Sequence, residues 1–312
     1  MIKTPLSTVI GGAFWTPGAT IIGSTSATIN TIIKSLFANG EQGFTRTLDD
    51  YSILFQDAVG TIPVTAVGQP VGLMLDKSKG LVLGSELVIN GNFTNGTTGW
   101  NSINGTDEVV SGGYLNFINA STSNPNVGQQ VGVQTSKFYN ISFRIAKYAS
   151  GGVYFVLYSV SGSVTKVTAT YSANGVYTIM LDAPFDATGY MGIRTTAAAT
   201  TLSITDISIK ELAGNHAYQS TTSQRPIYQD NPKRVDYDGV DDNLITTLPA
   251  QLTNCTVIRA IPNVGTQILT NQTIPATYTD NTDHCGLIVI NRALTVSETA
   301  QITKLFNKAA GV

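Results

Sequence analysis

Residues that could carry out catalysis are scattered along this chain of 312 residues. Acidic residues often occur as adjacent pairs, such as Asp241 and Asp242. On a strand such neighbours point to opposite faces, so they do not form the pair of carboxylates that a glycosidase holds roughly 5–10 Å apart. The two histidines, His216 and His284, lie far apart in sequence, and we therefore expect a protein that is not an enzyme.

The two cysteines, Cys255 and Cys285, leave two structural alternatives open. They could form one disulfide, but in a chain made in the cytosol buried thiols are the usual outcome. His284 precedes Cys285 directly, and neighbours on a strand point apart, which favours a structural thiol over a nucleophile. No His-x-x-x-His or Cys-x-x-Cys spacing indicates a metal site.

Three carboxylates, those of Asp238, Asp241 and Asp242, surround one Asp-Gly dipeptide. Asp-Gly is typical of a tight turn, because Gly239 tolerates positive φ. Calcium ligation is the alternative, since hard cations prefer clustered carboxylates. The segment lacks the ligand spacing of an EF-hand loop, so a turn is the better interpretation.

The composition limits the classes of function. Charged residues make up 12% of the chain, against roughly 25% in average proteins. The net charge of -2, from 18 basic and 20 acidic residues, provides no basic face for nucleic acid. No run approaches the ~20 apolar residues of a membrane helix, and the N-terminus has no secretion signal. We expect no nucleic-acid or membrane partner.

Alternating apolar and polar residues predict antiparallel strands at 139–145, 153–158 and 203–209. Asn-Gly pairs at 104–105 and 174–175 are typical of hairpin turns. The predicted fold class is all-β, with two jelly-roll-like β-sandwich domains. An extended N-terminal arm with a short helix and a short C-terminal helix complete it.

The central β-rich block has the side chains that sugar recognition uses. Tyrosine rings stack on the apolar faces of pyranoses, while amide and charged groups hydrogen-bond the hydroxyls. The alternative is that tyrosines of a sandwich are half-buried packing residues, and Trp100 is expected in the core. Our candidate carbohydrate-binding residues are Tyr154, Tyr158, Tyr190, Arg144 and Gln129.

The block opens with GSELVINGNFTNGTTGW at 84–100 and closes with TLSITDISIKEL at 201–212. Both ends resemble carbohydrate-binding jelly rolls of the family 4/9 type. That resemblance implies a sugar-binding surface, and a structural calcium held by acidic residues near the first and last strands. Thr94 stands where the family has a glutamate, which leaves Asp206 as the candidate calcium ligand; we expect no other cofactor.

The flanking segments, 44–83 and 213–312, contain an Arg-Pro element, the turn at 237–242 and a closing strand before a helix at 290–298. These features resemble the concanavalin A/laminin G-like modules of bacteriophage virion and tail proteins. Fewer than 50 residues separate Val240 from Leu287, so the module is expected to be a truncated derivative. The predicted domains are 1–43, 44–83 with 213–312, and the insertion 84–212.

Residues 1–43 are predicted to form an arm and a short amphipathic helix, because glycines and prolines interrupt the first half. The apolar stripe of the helix either packs on the chain's own domains or docks on another subunit. The predicted assembly residues are Phe14, Trp15, Ile29, Ile33, Leu36 and Phe37.

Together, the resemblances imply a bacteriophage virion protein, made in the bacterial cytoplasm and located in the virion. One hypothesis is a tail-fibre or baseplate-type component that binds host surface polysaccharide. The alternative is a non-catalytic capsid or tail decoration protein. The arm is expected to contact other virion proteins, and we expect a homo-oligomer, a trimer by analogy with phage fibres.

Overall fold

The computed structural model describes residues 8–10, 13–15, 28–49, 51–103, 105–120, 127–135, 137–159, 164–183, 187–196 and 199–312. For 8–10, 13–15, 159, 164–167 and 187–188 the description covers the backbone alone. The side chains of Phe14 and Trp15 thus lie outside the described residues, and their predicted role in assembly stays a prediction.

The described strands and helices run through the whole chain. The helices are α1 (Ile29–Leu36) and α2 (Val296–Ala310). In chain order the strands are β1 (Thr8–Ile10), β2 (Ala13–Trp15), β3 (Gly43–Thr47), β4 (Leu54–Phe55), β5 (Leu73–Met74), β6 (Leu83–Glu86), β7 (Glu108–Ser111), β8 (Tyr114–Ala120), β9 (Val127–Gln130), β10 (Phe138–Ser150), β11 (Val153–Ser159), β12 (Val164–Val167), β13 (Gly175–Asp182), β14 (Ala187–Thr195), β15 (Thr200–Leu212), β16 (Ala217–Tyr218), β17 (Ile227–Gln229), β18 (Arg234–Asp236), β19 (Leu244–Thr247), β20 (Leu252–Ile261), β21 (Gly265–Ile274), β22 (Thr277–Asp280) and β23 (Gly286–Ile290).

Strands β6 to β15 form two facing antiparallel sheets, and we call this part of the chain the block. The back sheet has the order β13-β10-β15-β8-β7, with β6 added to the other end of β15. The front sheet has the order β12-β11-β14-β9. Alternation along β10 and β11 sends every second side chain inward. Phe143, Phe155 and Ile204 are among the side chains buried between the sheets.

The segments before and after the block combine in a second pair of sheets, which we call the platform. One sheet has the order β22-β19-β16-β5-β4, and the other β21-β20-β23-β3. In each sheet, strands from before the block pair with strands from after it, as in Phe44↔Val289. Phe44, Tyr278 and Leu287 pack together in its core. The predicted all-β class with two sandwiches and two short helices is confirmed.

Helix α1 packs on the platform. Ile33, Leu36 and Phe37 are buried in one cluster with Ile288 and Phe306 of the same chain, and Ile29 packs against its edge. The assembly role predicted for Ile33, Leu36 and Phe37 is therefore wrong, because the chain's own sheet and α2 cover these side chains. For Ile29, which is partly exposed, the role stays a prediction. Burial of such side chains contributes roughly 1.5–3 kcal/mol each.

Helix α2 begins with the capping box expected from Thr295-x-x-Glu298. The Thr295 hydroxyl accepts from the Glu298 backbone N–H, and the Glu298 carboxylate accepts from the Thr295 N–H. That carboxylate also binds both terminal nitrogens of Arg292, at 2.7 and 2.9 Å.

None of the helices in the described part of the chain is long and apolar enough to cross a membrane.

A buried carboxylate, that of Asp76, joins the two halves of the platform where the block leaves it. Its oxygens accept hydrogen bonds from the backbone N–H of Thr45 at 2.8 Å and of Asn215 at 2.7 Å. The backbone and hydroxyl of Ser78 donate two more, each at 2.8 Å. Beside it, Nδ1 of His216 accepts from the Asp76 N–H at 2.9 Å. Burial lowers the pKa of His216, which favours its neutral form.

The block also touches the platform away from this junction. The Met180 N–H on β13 donates to the Val59 carbonyl at 2.8 Å. Phe138 on β10 meets His216 edge to face, with ring centroids 5.0 Å apart. Phe138 and Leu212 belong to the same buried cluster as Leu73 of the platform. The block and the platform therefore share a packed contact as well as two chain connections.

Replacing Asp76 with Asn should lower the free energy of unfolding by about 3 kcal/mol or more, because an amide NH₂ would face N–H donors in a buried site. Denaturant unfolding of the full chain measures this. Asp241→Asn is the matched control: Asp241 is exposed, and we expect a change within about 0.5 kcal/mol. Equal effects of the two substitutions would contradict the structural role of Asp76.

The capping carboxylate should make stability depend on pH. Hydrogen bonds from Arg292 hold the pKa of Glu298 at about 2, below its ordinary 4.5. Its contribution is therefore complete above pH 4.5 and is lost as the pH falls through about 2. Glu298→Gln should destabilise the chain at neutral pH, and the difference from the native chain should shrink near pH 2. A difference that stays constant with pH would refute this linkage.

Candidate functional site

The outward face of the front sheet brings together side chains suited to sugar recognition. On β11, Phe155 and Leu157 point into the core, so Tyr154 and Tyr158 point the other way. On β14, Met191 and Ile193 are inward, which places Tyr190 and Arg194 outward. On β9, Gln130 is outward and lies opposite Tyr190 in the register. We call these five outward residues the front face.

Two tyrosines form the centre of the front face. The rings of Tyr158 and Tyr190 meet at 66°, with centroids 5.5 Å apart. A Cβ atom added at Gly128 would lie 2.5 Å from the Tyr190 hydroxyl and 2.6 Å from a ring carbon, so the ring crosses the strand where a side chain is missing. Glycine at position 128 is therefore what allows Tyr190 to lie flat against β9.

Arg194 supplies the charge of the front face. It lies opposite Tyr154 in the β11–β14 register. Its Nε donates to the Tyr158 hydroxyl at 3.1 Å. Its guanidinium carbon is 5.4 Å from the centre of the same ring. The guanidinium is thus held beside aromatic rings, in a position to donate to sugar hydroxyls or carboxylates.

Tyr190 of the front face is a neutral donor and acceptor at physiological pH. Burial raises the pKa of Tyr190 above its ordinary value, and the side chain of Asn101 hydrogen-bonds it. Tyr158 is 8% exposed, whereas Tyr154 and Tyr190 are more open. A ligand would therefore contact Tyr154 and Tyr190 more than Tyr158.

Gln129, a predicted carbohydrate-binding residue, belongs to the interior instead. It is 2% exposed. Its Oε1 accepts from the Ile89 N–H at 2.6 Å, and its Nε2 donates to the Ile89 carbonyl at 2.9 Å. The prediction was wrong because Gln129 has the same strand parity as the buried Val127, while Gln130 has the opposite parity.

Arg144 was also predicted in the site, and the structure places it on the outward face of the back sheet. Its Nε lies 2.9 Å from Oδ2 of Asp206. Its guanidinium carbon is 5.4 Å from the ring centre of Tyr114. Arg144 therefore shares no surface with Tyr154 or Tyr190, and its role in carbohydrate binding stays a prediction.

The carboxylate of Asp206, the predicted calcium ligand, is engaged by this arginine. Among the described residues, three carboxylates lie close enough to hold one ion: those of Asp238, Asp241 and Asp242. Asp206 is not part of this group. Calcium at Asp206 gains no support from the arrangement and stays a prediction.

The three clustered aspartates form the expected turn. Oδ1 of Asp238 accepts from the N–H groups of Val240, Asp241 and Asp242, at 2.8 to 3.2 Å. The Val240 hydrogen bond is the largest cause of the lowered pKa of Asp238. Gly239 has a φ of +73°. Backbone N–H groups therefore already occupy Oδ1 of Asp238, an oxygen that a bound cation would use as a ligand.

The histidines and cysteines do not form an activated nucleophile. Nε2 of His284 lies 2.9 Å from a carboxylate oxygen of Asp280, and both side chains are fully buried. Cys255 and Cys285 are free, buried thiols that belong to different core clusters. Trp100 is buried as expected, with Nε1 donating to the Asn90 carbonyl at 3.1 Å.

Sequence reasoning placed three of the five front-face residues among its candidates and missed Arg194. A signal for Arg194 was present, since it follows Tyr190 by four residues on one strand and so shares its face. Asn101 had no such signal, because it precedes β9 in a loop and reaches the face only through a bridge to Gly128.

Solved structures similar to this chain are carbohydrate-binding modules. A structure described as family 16 carbohydrate-binding module-2 is 14% identical, with coverage of 39% of this chain and 98% of that one, and a TM-score of 0.31. A family 4 module is 18% identical over 41% and 94% of the two chains, with a TM-score of 0.28. The xylan-binding CBM22-1 domain of Xyn10C from Paenibacillus barcinonensis is 13% identical over 42% and 97%, with a TM-score of 0.32.

No protein-family model matches the chain, and no curated protein matches its sequence.

Gln129→Ala should destabilise the chain by about 1–3 kcal/mol, because two backbone groups of Ile89 lose their partners. Gln130→Ala removes the neighbouring amide from the outward face, and we expect a change within about 0.5 kcal/mol. Denaturant unfolding of both variants measures the difference. A larger loss from Gln130→Ala would show that the two amides have been assigned to the wrong faces.

Proposed function

We propose that the block binds polysaccharide through the front face. The observation that carries this proposal is the convergence of Tyr154, Tyr158 and Tyr190 with Arg194 and Gln130 on one outward surface. Aromatic rings contact the apolar faces of sugars, and the amide and guanidinium groups fix the orientation of the hydroxyls. The neutral Tyr190 avoids the desolvation cost that a buried charge would add.

The low exposure of Tyr158 favours a weak single site. Tyr158 is largely covered by its neighbours, so a sugar ring gains contact mainly from Tyr154 and Tyr190. Repeated units of a polysaccharide and several copies of the protein would multiply such contacts, and linked sites gain avidity without new contacts. We therefore propose binding to a polymer and not to a free monosaccharide.

We further propose that the chain is a bacteriophage virion component, of the tail-fibre or baseplate type, that presents the front face to host surface glycans. The support is the resemblance of the flanking segments to phage virion modules. The front face itself favours a binding role over the alternative of a purely structural decoration protein. An apolar seam there would have favoured the alternative, whereas the outward side chains include an arginine and an amide.

Removing a ring from the front face should weaken binding. Tyr190→Ala and Arg194→Ala should each lower the affinity for host surface polysaccharide about tenfold, which corresponds to about 1.4 kcal/mol. Binding of the full chain to an array of purified polysaccharides measures this. Tyr114→Ala and Arg144→Ala are matched controls, because they remove the same residue types from the back sheet, and we expect unchanged binding.

Two results would reject the proposal. Loss of binding in the back-sheet controls alone would move the site to the other sheet. Absence of binding to every host polysaccharide, together with incorporation of the chain into purified particles, would favour the decoration protein. Binding that resists a chelator is expected, since the Asp206 carboxylate pairs with Arg144.

A further inference from the structure

A pocket of about 430 Å³ lies on the platform, between α2, the start of α1 and the turn before β18. Its volume is within the roughly 300–1,000 Å³ typical of small-molecule sites. We propose that this pocket binds a free single-chain carboxylate with an apolar tail. Its residues belong to the platform and none to the front face, so it would be a second site, independent of polysaccharide binding.

The walls of the pocket suit an apolar tail. Leu48, Cys285 and Phe306 are 4%, 3% and 2% exposed, so they form a closed floor. Burial raises the pKa of the Cys285 thiol to about 11, which keeps the floor uncharged at physiological pH. Besides Ala309, the apolar lining consists of Ile29, Leu48, Pro232, Cys285, Leu305 and Phe306.

The polar part of the lining has an excess of positive charge. Lys233 and Lys308 both line the pocket and are exposed. In the part of the chain that is described, neither ammonium group has a hydrogen bond or ion pair; Lys233 lies 5.3 Å from the ring centre of Tyr51. A carboxylate between them would gain two charge-assisted contacts.

The pocket also contains one carboxylate, that of Asp49, and its charge is already compensated. Oδ1 of Asp49 lies 3.1 Å from Nζ of Lys77 and accepts from the Thr47 hydroxyl at 2.9 Å. Its Oδ2 accepts from the Asn30 amide at 3.0 Å. The two lysines therefore have no anionic partner in the pocket, and the charge complementarity favours an anionic ligand over a cationic or neutral one.

Titration of the full chain with decanoate, below the concentration at which decanoate aggregates, tests this by calorimetry. We expect saturable binding at one site. Lys233→Gln with Lys308→Gln should weaken binding at least about tenfold. Lys304→Gln is the matched control, because Lys304 is an exposed lysine of α2 outside the pocket lining, and it should leave the affinity unchanged.

The tail and the head group are tested separately. Ala309→Trp, which places a large ring in the lining, should abolish decanoate binding while the circular dichroism spectrum stays native. Decanol should bind at least about tenfold more weakly than decanoate if the lysines recognise a charge. Equal binding of decanol and decanoate would overturn the proposal. So would absence of decanoate binding, including the case in which the chain binds only anionic lipid vesicles.

Discussion

The buried carboxylate of Asp76 is the constraint on which this architecture depends. Four donors from three separate segments, at Thr45, Ser78 and Asn215, converge on its two oxygens. A sheet assembled from strands that are more than a hundred residues apart has a large entropy cost of closure. The carboxylate offsets part of that cost at the point where the two halves meet. The position of the block, and with it the orientation of the front face, follows from that junction.

Local patterns predicted the elements well because they report on neighbours in sequence. Alternation at 139–145 predicted β10, and the capping box predicted the start of α2. The partner of an apolar stripe is not a local property, and this is why α1 was assigned to assembly. Its stripe meets β23 and α2, which are about 250 residues further along the chain. Only the tertiary fold decides which surface covers such a helix.

The candidate site was predictable to the extent that strand parity could be read. Tyr154, Tyr158 and Tyr190 share a face in the structure, whereas Gln129 and Arg144 do not join them. The parity rule, counted from the buried Val127, separates Gln129 from Gln130. No rule of this kind separates the front sheet from the back sheet, because Arg144 lies on a strand with the same alternation. The assignment of strands to sheets requires long-range pairing, and a single sequence does not contain it in readable form.

The two ends of the block are register partners: Leu83 lies opposite Leu212. Because its two ends lie side by side, the block could be exchanged as a single unit. Another domain whose ends are similarly paired could replace it with both connections preserved, if it also covers the platform side chains that Phe138 and Leu212 now contact. Recombination at this junction would exchange the front face for another surface while the strands of the platform remained the same.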